Sequence, residues 1–200
     1  MKPPINLVGG AFFSVIVSVV GLAEPLNNGI NFEEIEPGLG FGTPCAQAQA
    51  HLTHIGVSYK QMSEHQWILI TRGQIIGHAL YPTNEAASVG PMSSRISCSP
   101  DVGIYRVQLT WSGNEKESVY NTALKTLTTR LKQSPNLKKV RRRGSGRCAT
   151  WPPSKAKASE NTIQLCETQT LTTLDARSPT LEKAAKAARS IKKMESSSAP

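Results

Sequence analysis

The chain has 200 residues, enough for one domain with a hydrophobic core even if an amino-terminal segment is removed. Lys and Arg outnumber Asp and Glu by 23 to 14, and the net charge of +9 predicts adhesion to anionic surfaces. None of the 4 cysteines has C-x-x-C spacing, which argues against a structural zinc site. No segment carries a recognisable catalytic or cofactor motif, so we expect a small basic domain without a cofactor.

The amino terminus has the pattern of an export signal. Lys2 supplies a positive charge, and the stretch 5–22 is apolar and uncharged up to the small residues Gly21 and Ala23. The alternative is a retained transmembrane anchor. However, the stretch is near the lower length limit for a membrane-spanning helix, contains several glycines and is not followed by a run of Lys or Arg. We therefore predict a signal peptide over 1–23, cleaved after Ala23, and a periplasmic or secreted protein.

The first part of the mature chain predicts a lead-in and a helix. Segment 24–40 is acidic and rich in turn formers, which favours an extended lead-in to a single domain over 41–177. The helix has Thr43 as N-cap and Pro44 in its first position, and it ends at Gly56. Its apolar side chains form one narrow stripe: Cys45, Ala48, Leu52 and Ile55.

Strand patterns follow this helix. Residues 57–61 form a candidate strand, and the runs 67–71 and 74–81 on either side of a Gly-containing turn predict a hairpin. Residues 82–100 are rich in Pro, Ser, Asn and Gly and predict a loop. In the next strand, 104–111, large apolar residues alternate with polar ones, so one face packs and the other meets water. The packed face comprises Tyr105, Val107, Leu109 and Trp111, and the other face Arg106, Gln108 and Thr110.

A second helix is predicted over 115–133, where the apolar residues share one face and Pro135 limits the end. Those apolar residues are Tyr120, Leu124, Leu127 and Leu131. Residues 136–147 then form a basic loop or the start of the next strand. Segments 147–151 and 162–167 predict a second hairpin, and residues 171–174 extend its last strand.

The even number of cysteines in an exported chain predicts two disulfides, for which three connectivities are possible. Cys148 and Cys166 are symmetric about the centre of the second hairpin, so a cross-strand disulfide is geometrically plausible there. That pairing leaves Cys45 with Cys98 by elimination.

A basic helix and a disordered tail are predicted over 178–200. The apolar residues lie on one side of this helix, opposite a face of Lys and Arg, and 195–200 are expected to be disordered. We find no internal repeat. The predicted fold is α+β: an antiparallel sheet of about five to six strands with two helices packed on one face, plus a C-terminal helix.

The stretch GFGTPCAQAQAHLTHIGV, residues 40–57, resembles the opening of many small bacterial envelope proteins. They have a Gly-x-Ser/Thr turn, a helix with Ala and Leu on one face, and then a Gly and a strand. Outer-membrane assembly lipoproteins of the SmpA/OmlA type and numerous uncharacterised periplasmic proteins share this shape. The resemblance implies a binding or scaffolding role in the bacterial envelope, without catalysis.

Two possible sites of chemistry lie on the first helix. Cys45 falls in its first turn, where the helix dipole lowers a thiol pKa, so a reactive thiol with His51 or His54 as base is conceivable. We favour a structural disulfide at Cys45. The two histidines are spaced so that both can reach one metal ion, but no spacing ties His65 or His78 to them as a third ligand. We therefore expect surface histidines and no metal site.

The densest charge feature is a basic patch, defined here as Lys138, Lys139, Arg141, Arg142, Arg143 and Arg147. It predicts salt-sensitive contacts to phosphate or sulfate groups, or else a solvated loop. No aromatic residues interleave with it, which disfavours nucleic acid. The C-terminal helix has too thin an apolar stripe for more than peripheral membrane contact.

The sequence thus favours a non-enzymatic exported protein whose partner is a protein or an anionic envelope component. The alternative is a small secreted hydrolase or thiol-dependent enzyme, which requires a free thiol at Cys45 or a pair of carboxylates that the sequence does not nominate.

Overall fold

A computed structural model of the chain describes residues 30–55, 57, 59–63, 66–69, 93–112, 119–140, 146–152 and 157–198. Counts of elements and contacts below refer to these residues. The predicted signal peptide, the predicted strand over 74–81 and Arg141, Arg142 and Arg143 of the basic patch lie outside them.

The described elements are helices and antiparallel strands. The helices are a 3₁₀ turn Phe32–Glu34, α1 Cys45–His54, α2 Val119–Leu131 and α3 Pro179–Ser198. The strands are β1 Tyr59–Ser63, β2 Gln66–Leu69, β3 Ser93–Ser99, β4 Gly103–Ser112, β5 Asn136–Val140, β6 Gly146–Trp151, β7 Thr162–Glu167 and β8 Leu171–Arg177. They form one 8-stranded sheet in the order β1-β2-β3-β4-β8-β7-β6-β5.

The α+β class is confirmed, but the sheet is larger than the predicted five to six strands. Strand β3 lies within the predicted loop 82–100. The sequence of β3 is rich in serine and therefore has a weak strand pattern. Its backbone nevertheless pairs with β2 on one side and with β4 on the other. Strand β5 lies in the basic segment 136–147, at the edge of the sheet, where lysines are common because they discourage pairing with other chains.

Both α1 and α2 pack on the same face of the sheet. The predicted alternation in β4 is correct, since Tyr105, Val107, Leu109 and Trp111 are buried. Alternate residues of neighbouring strands continue this apolar face, and the buried side chains of α1 and α2 join the same core cluster. The opposite face of the sheet therefore carries the polar residues of the same strands.

The sheet consists of two topologically similar halves. In each half a helix precedes four sequential strands, and the halves meet where β4 pairs with β8. One row of core side chains crosses six of the strands and reads nearly the same from either end: Trp67, Ile96, Val107, Ala176, Ile163 and Trp151. The sequence does not reveal that the two halves are similar, because they share only the order of their elements and a few core residues.

Residues 30–41 are not an extended lead-in. Their apolar side chains are buried in the core: Ile30, Phe32, Ile35, Leu39 and Phe41. The Glu33 carboxylate accepts hydrogen bonds from the N–H groups of Gly38 and Gly40, at 3.0 Å and 2.9 Å, which folds the segment into a compact turn. This segment also contacts α2, because Arg130 Nη1 donates to the Ile35 carbonyl at 2.9 Å.

Helix α3 packs where β4 begins. The Ser178 N–H donates to the Tyr105 carbonyl at 2.9 Å, and Lys192 pairs with Asp101 in the β3–β4 turn at 3.2 Å. The helix extends to Ser198, into the segment for which the sequence predicts disorder, and Met194 near its end is exposed. In the described part of the chain, no helix combines the length and apolar character needed to span a membrane.

Two disulfides connect these elements, with the pairing that the hairpin argument predicts. Cys45 at the start of α1 is bonded to Cys98 in β3, and Cys148 in β6 is bonded to Cys166 directly opposite in β7. The first bond ties a helix to the sheet, and the second joins neighbouring strands. Two disulfides are typical of proteins that fold in an oxidising compartment.

Candidate anion-binding surface

The structure places the described residues of the basic patch, Lys138, Lys139 and Arg147, on both faces of the sheet. Lys138 and Lys139 are adjacent residues of the edge strand β5, so their side chains point to opposite faces, and both are exposed. Lys138 lies opposite Cys148 on the polar face, and Lys139 lies opposite Arg147 on the helix side. The described part of the patch therefore has side chains on both sides of the sheet.

Arg147 makes strong contacts within the protein. Its Nε donates to Glu167 Oε2 at 2.7 Å, and its guanidinium lies 4.3 Å from the centre of the Tyr120 ring. A cation over an aromatic face is stabilised by about 0.5–1 kcal/mol at an exposed site. These contacts give Arg147 a structural role, which the charge run alone did not indicate.

The polar face of the sheet brings together cations that are far apart in sequence. We call it the open face and define its charged members as Lys60, Arg95, Arg106, Lys138, Asp175 and Arg177, which the register places on one side of the sheet. These charged residues could not be grouped from the sequence, because they share a face only when β4 pairs with β8. The predicted alternation in β4 had already assigned Arg106 to a solvent-facing side.

Asp175 on the open face is bound by an arginine. Arg106 Nε donates to Asp175 Oδ1 and Nη2 donates to Oδ2, each at 2.8 Å, so the contact is bidentate. The hydrogen bond to Asp175 raises the pKa of Arg106 above its usual value. The charge of Asp175 is therefore already compensated.

Glu182, in the first turn of α3, borders the open face. A hydrogen bond from Lys186 at 2.7 Å holds the pKa of Glu182 below its usual value, and the charges of Arg106 and Arg177 add to this effect. Arg95 and Arg177 are exposed and, among the described residues, form no ion pair. The open face thus keeps uncompensated positive charge.

The chain matches no protein-family model, no curated protein and no solved structure. Its site must therefore be interpreted from its own geometry.

Of the residues considered for chemistry on α1, His54 is exposed and His51 is half-buried. His65 and His78 lie outside the described residues, and within the described ranges no group of three metal-ligating side chains comes together. All four cysteines are in disulfides, so Cys45 has no free thiol in this structure. The thiol-enzyme hypothesis therefore has no nucleophile at the position it requires.

A buried acid beside His51 was missed by the sequence analysis. Glu36 is 7% exposed, and its Oε1 lies 3.6 Å from His51 Nε2. Burial raises the pKa of Glu36 to about 7, although the nearby charge of Arg130 opposes this rise and that of Glu33 adds to it. In the sequence, the sign of this buried acid is that Glu36 stands between an apolar residue, Ile35, and Pro37.

Glu36 is expected to make the stability of the protein depend on pH. Because its pKa is higher in the folded protein than the usual 4.5, its stabilising effect is complete below pH 4.5 and is lost as the pH rises through about 7. Between pH 5 and pH 8 we expect the unfolding free energy of the unmodified protein to fall by at most about 3 kcal/mol because of Glu36. In the Glu36→Gln variant this contribution to the fall should be absent. Urea unfolding at both pH values measures this change.

The matched control is Glu34→Gln, which alters an exposed acid in the same turn. It should leave the pH dependence as it is in the unmodified protein. Equal pH dependence in the protein and its Glu36→Gln variant would contradict the assignment to Glu36.

Proposed function

We propose that the chain is an exported, non-enzymatic binding protein that engages an anionic or protein partner through its positively charged surface. The observation that carries the proposal is the exposure of Lys138 and Lys139 on the edge strand β5. Among the described residues neither lysine forms an ion pair, so both charges are available to a partner. Arg147, held by Glu167 and Tyr120, supports the strand next to them.

The disulfides and the amino-terminal pattern together support the proposed compartment. Two disulfides favour an oxidising environment, and the pattern over 1–23 supplies a route to it by export and cleavage after Ala23. A periplasmic or secreted location is part of the proposal, as is the envelope role implied by the likeness of residues 40–57 to SmpA/OmlA-type proteins. In that setting the available anions are lipid phosphates and acidic polysaccharides.

Nucleic acid fits this surface less well. Binding of single strands usually uses aromatic side chains on which bases stack. Tyr120, the aromatic residue in contact with the patch, is buried beneath Arg147. Of the alternative, a small secreted hydrolase or thiol enzyme, the version that uses Cys45 as a nucleophile is disfavoured by the disulfide at Cys45.

The test is a charge reversal at β5. Lys138→Glu/Lys139→Glu is expected to weaken binding to heparin and to anionic lipid vesicles by at least about tenfold, and to reduce the dependence of affinity on salt between about 50 and 200 mM. The physical reason is that each contact between a cation and an anionic group releases a bound counterion. Affinity is measured by titration at several salt concentrations.

Lys183→Glu/Lys193→Glu on α3 is the matched control, because it makes the same change in net charge at two exposed lysines. It should have a much smaller effect. If both double variants weaken binding equally, net charge alone explains the adhesion and the β5 site is wrong.

A further inference from the structure

We infer that the open face of the sheet is a docking surface for an acidic protein partner. The inference rests on the proposed role as a binding protein and extends the contact surface from the edge strand β5, whose Lys138 belongs to both sites, to the centre of the sheet at β3, β4 and β8.

The open face is broad. Helices α1 and α2 pack on the other side of the sheet, and the strands from β3 to β5 span about 24 Å at the usual spacing between strands. Side chains reach solvent along this width, including Arg95 on β3, Arg177 on β8, Gln164 on β7 and Lys138 on β5. A surface of this breadth suits a protein partner better than a small molecule, which needs a concave pocket.

The charge of the open face selects an acidic partner. Its described cations come from five different strands, whereas Asp175 is paired with Arg106, and Glu182 at the rim is paired with Lys186. The complementary surface is therefore negative, and such complementarity steers association and selects partners.

Arginines cluster at the centre of this face. Arg106 of β4 lies opposite Arg177 of β8 in the register. On the other side of β4, Arg95 of β3 lies opposite Gln108, which follows Arg106 along this face. Arginine is suited to binding carboxylates with two parallel hydrogen bonds. The bidentate Arg106–Asp175 pair demonstrates this contact within the face itself. Arg95 and Arg177 are exposed and can bind carboxylates of a partner, although the Nε of Arg177 already donates to Thr162 Oγ1 at 3.3 Å.

The uncharged residues of the face favour a protein surface over a lipid surface. Between the arginines lie amide and hydroxyl side chains, which can hydrogen-bond with a polypeptide: Gln108, Thr110, Thr150, Gln164 and Thr173. Binding in a lipid interface requires a substantial apolar surface. Leu171 at the end of β8 is exposed on this face, and Met62, two residues after Lys60 on β1, is exposed as well, so the described exposed apolar surface consists of two separate side chains.

Two links between strands of this face are present before a partner binds. The Cys148–Cys166 disulfide joins β6 and β7 on this side, and the Arg106–Asp175 pair joins β4 and β8. Ordering flexible side chains and segments costs affinity, so a pre-ordered surface loses less free energy on binding.

The experiment uses the full mature chain, labelled with ¹⁵N, and three probes: poly-L-glutamate, heparin fragments and anionic lipid vesicles. With poly-L-glutamate, we expect amide shift changes concentrated in β3, β4, β7 and β8. The variant Arg95→Glu/Arg177→Glu should lose at least about tenfold in affinity for poly-L-glutamate, because it removes two charge-assisted contacts to carboxylates and replaces them with repulsion. Lys183→Glu/Lys193→Glu is again the control with the same net charge.

Arg95→Gln/Arg177→Gln removes the charges without reversing them and gives the same test if the reversed variant folds poorly. Unchanged affinity in the charge-removed variant, or shift changes confined to β5 and β6, would overturn the inference. Shift changes on the open face with heparin or vesicles but not with poly-L-glutamate would also overturn it, since the partner would then not be a protein. If Lys138→Glu/Lys139→Glu weakens binding and the arginine variants do not, the proposed function stands and the inference about the open face fails. The failure of the inference can therefore be told apart from the failure of the proposed function.

Discussion

Replacing Cys45 and Cys98 together with alanine is expected to lower the free energy of unfolding by about 4 kcal/mol, because the cross-link closes a long loop in the unfolded chain. The two residues are separated by 53 positions, and the bond fixes the start of α1 to β3. Chemical denaturation of the protein and the variant, followed by circular dichroism, measures the difference.

The comparison is the Cys148→Ala/Cys166→Ala variant, whose cysteines are only 18 positions apart. The shorter loop predicts a loss of about 3 kcal/mol. The antiparallel register of β6 and β7 already holds these strands together in the folded state. A larger loss in this second variant than in the first would show that loop length does not control the effect.

The second large effect is expected at Trp151, which is fully buried at the end of β6. Its Nε1 donates to the carbonyl of Gln133 at 2.9 Å, just beyond the end of α2, so the side chain both fills the core and joins a helix to the sheet. Trp151→Ala is expected to cost about 3–5 kcal/mol, since it leaves a large cavity. Urea unfolding gives the change in stability.

Trp151→Phe separates the two contributions. It keeps most of the buried ring but removes the hydrogen bond, so we expect a loss of about 1–3 kcal/mol. Equal losses in the Ala and Phe variants would mean that the hydrogen bond, rather than the filled volume, dominates at this position.

The sequence identified elements whose pattern is local. Strand β4 alternates strictly between large apolar and polar residues, and α1 carries Ala48 and Leu52 at helical spacing, so each could be recognised within a short window. The hairpin of β6 and β7 was recognisable for the same reason, and its register placed Cys148 opposite Cys166.

Elements held by distant contacts were missed. Strand β3 has only Ile96 and Cys98 as apolar residues among serines, and its pairing with β2 and β4 determines its structure. Residues 30–40 are the described part of the predicted lead-in 24–40, and their apolar residues follow neither strand nor helix spacing. Their burial depends on contacts with helices elsewhere in the chain, such as Arg130 with the Ile35 carbonyl.

The candidate site was only partly visible for the same reason. Charge density along the chain identified Lys138 and Lys139, which are neighbours in sequence. It could not identify Arg95 and Arg177, which share a face only because β4 pairs with β8. No local pattern predicts that Arg147 binds Glu167 and stacks on Tyr120, because both partners lie far from it in the sequence.

The central position of β8 has a consequence for how the protein is made. Synthesis delivers the chain from its amino end, so the strand that joins the two halves is the last of the described strands to become available. Until then β4 has a free edge, which is a site for mispairing with other chains. Cys45 and Cys98 both precede β4, so their bond can form before the second half exists. That early cross-link would hold the first half together while it waits for its neighbour.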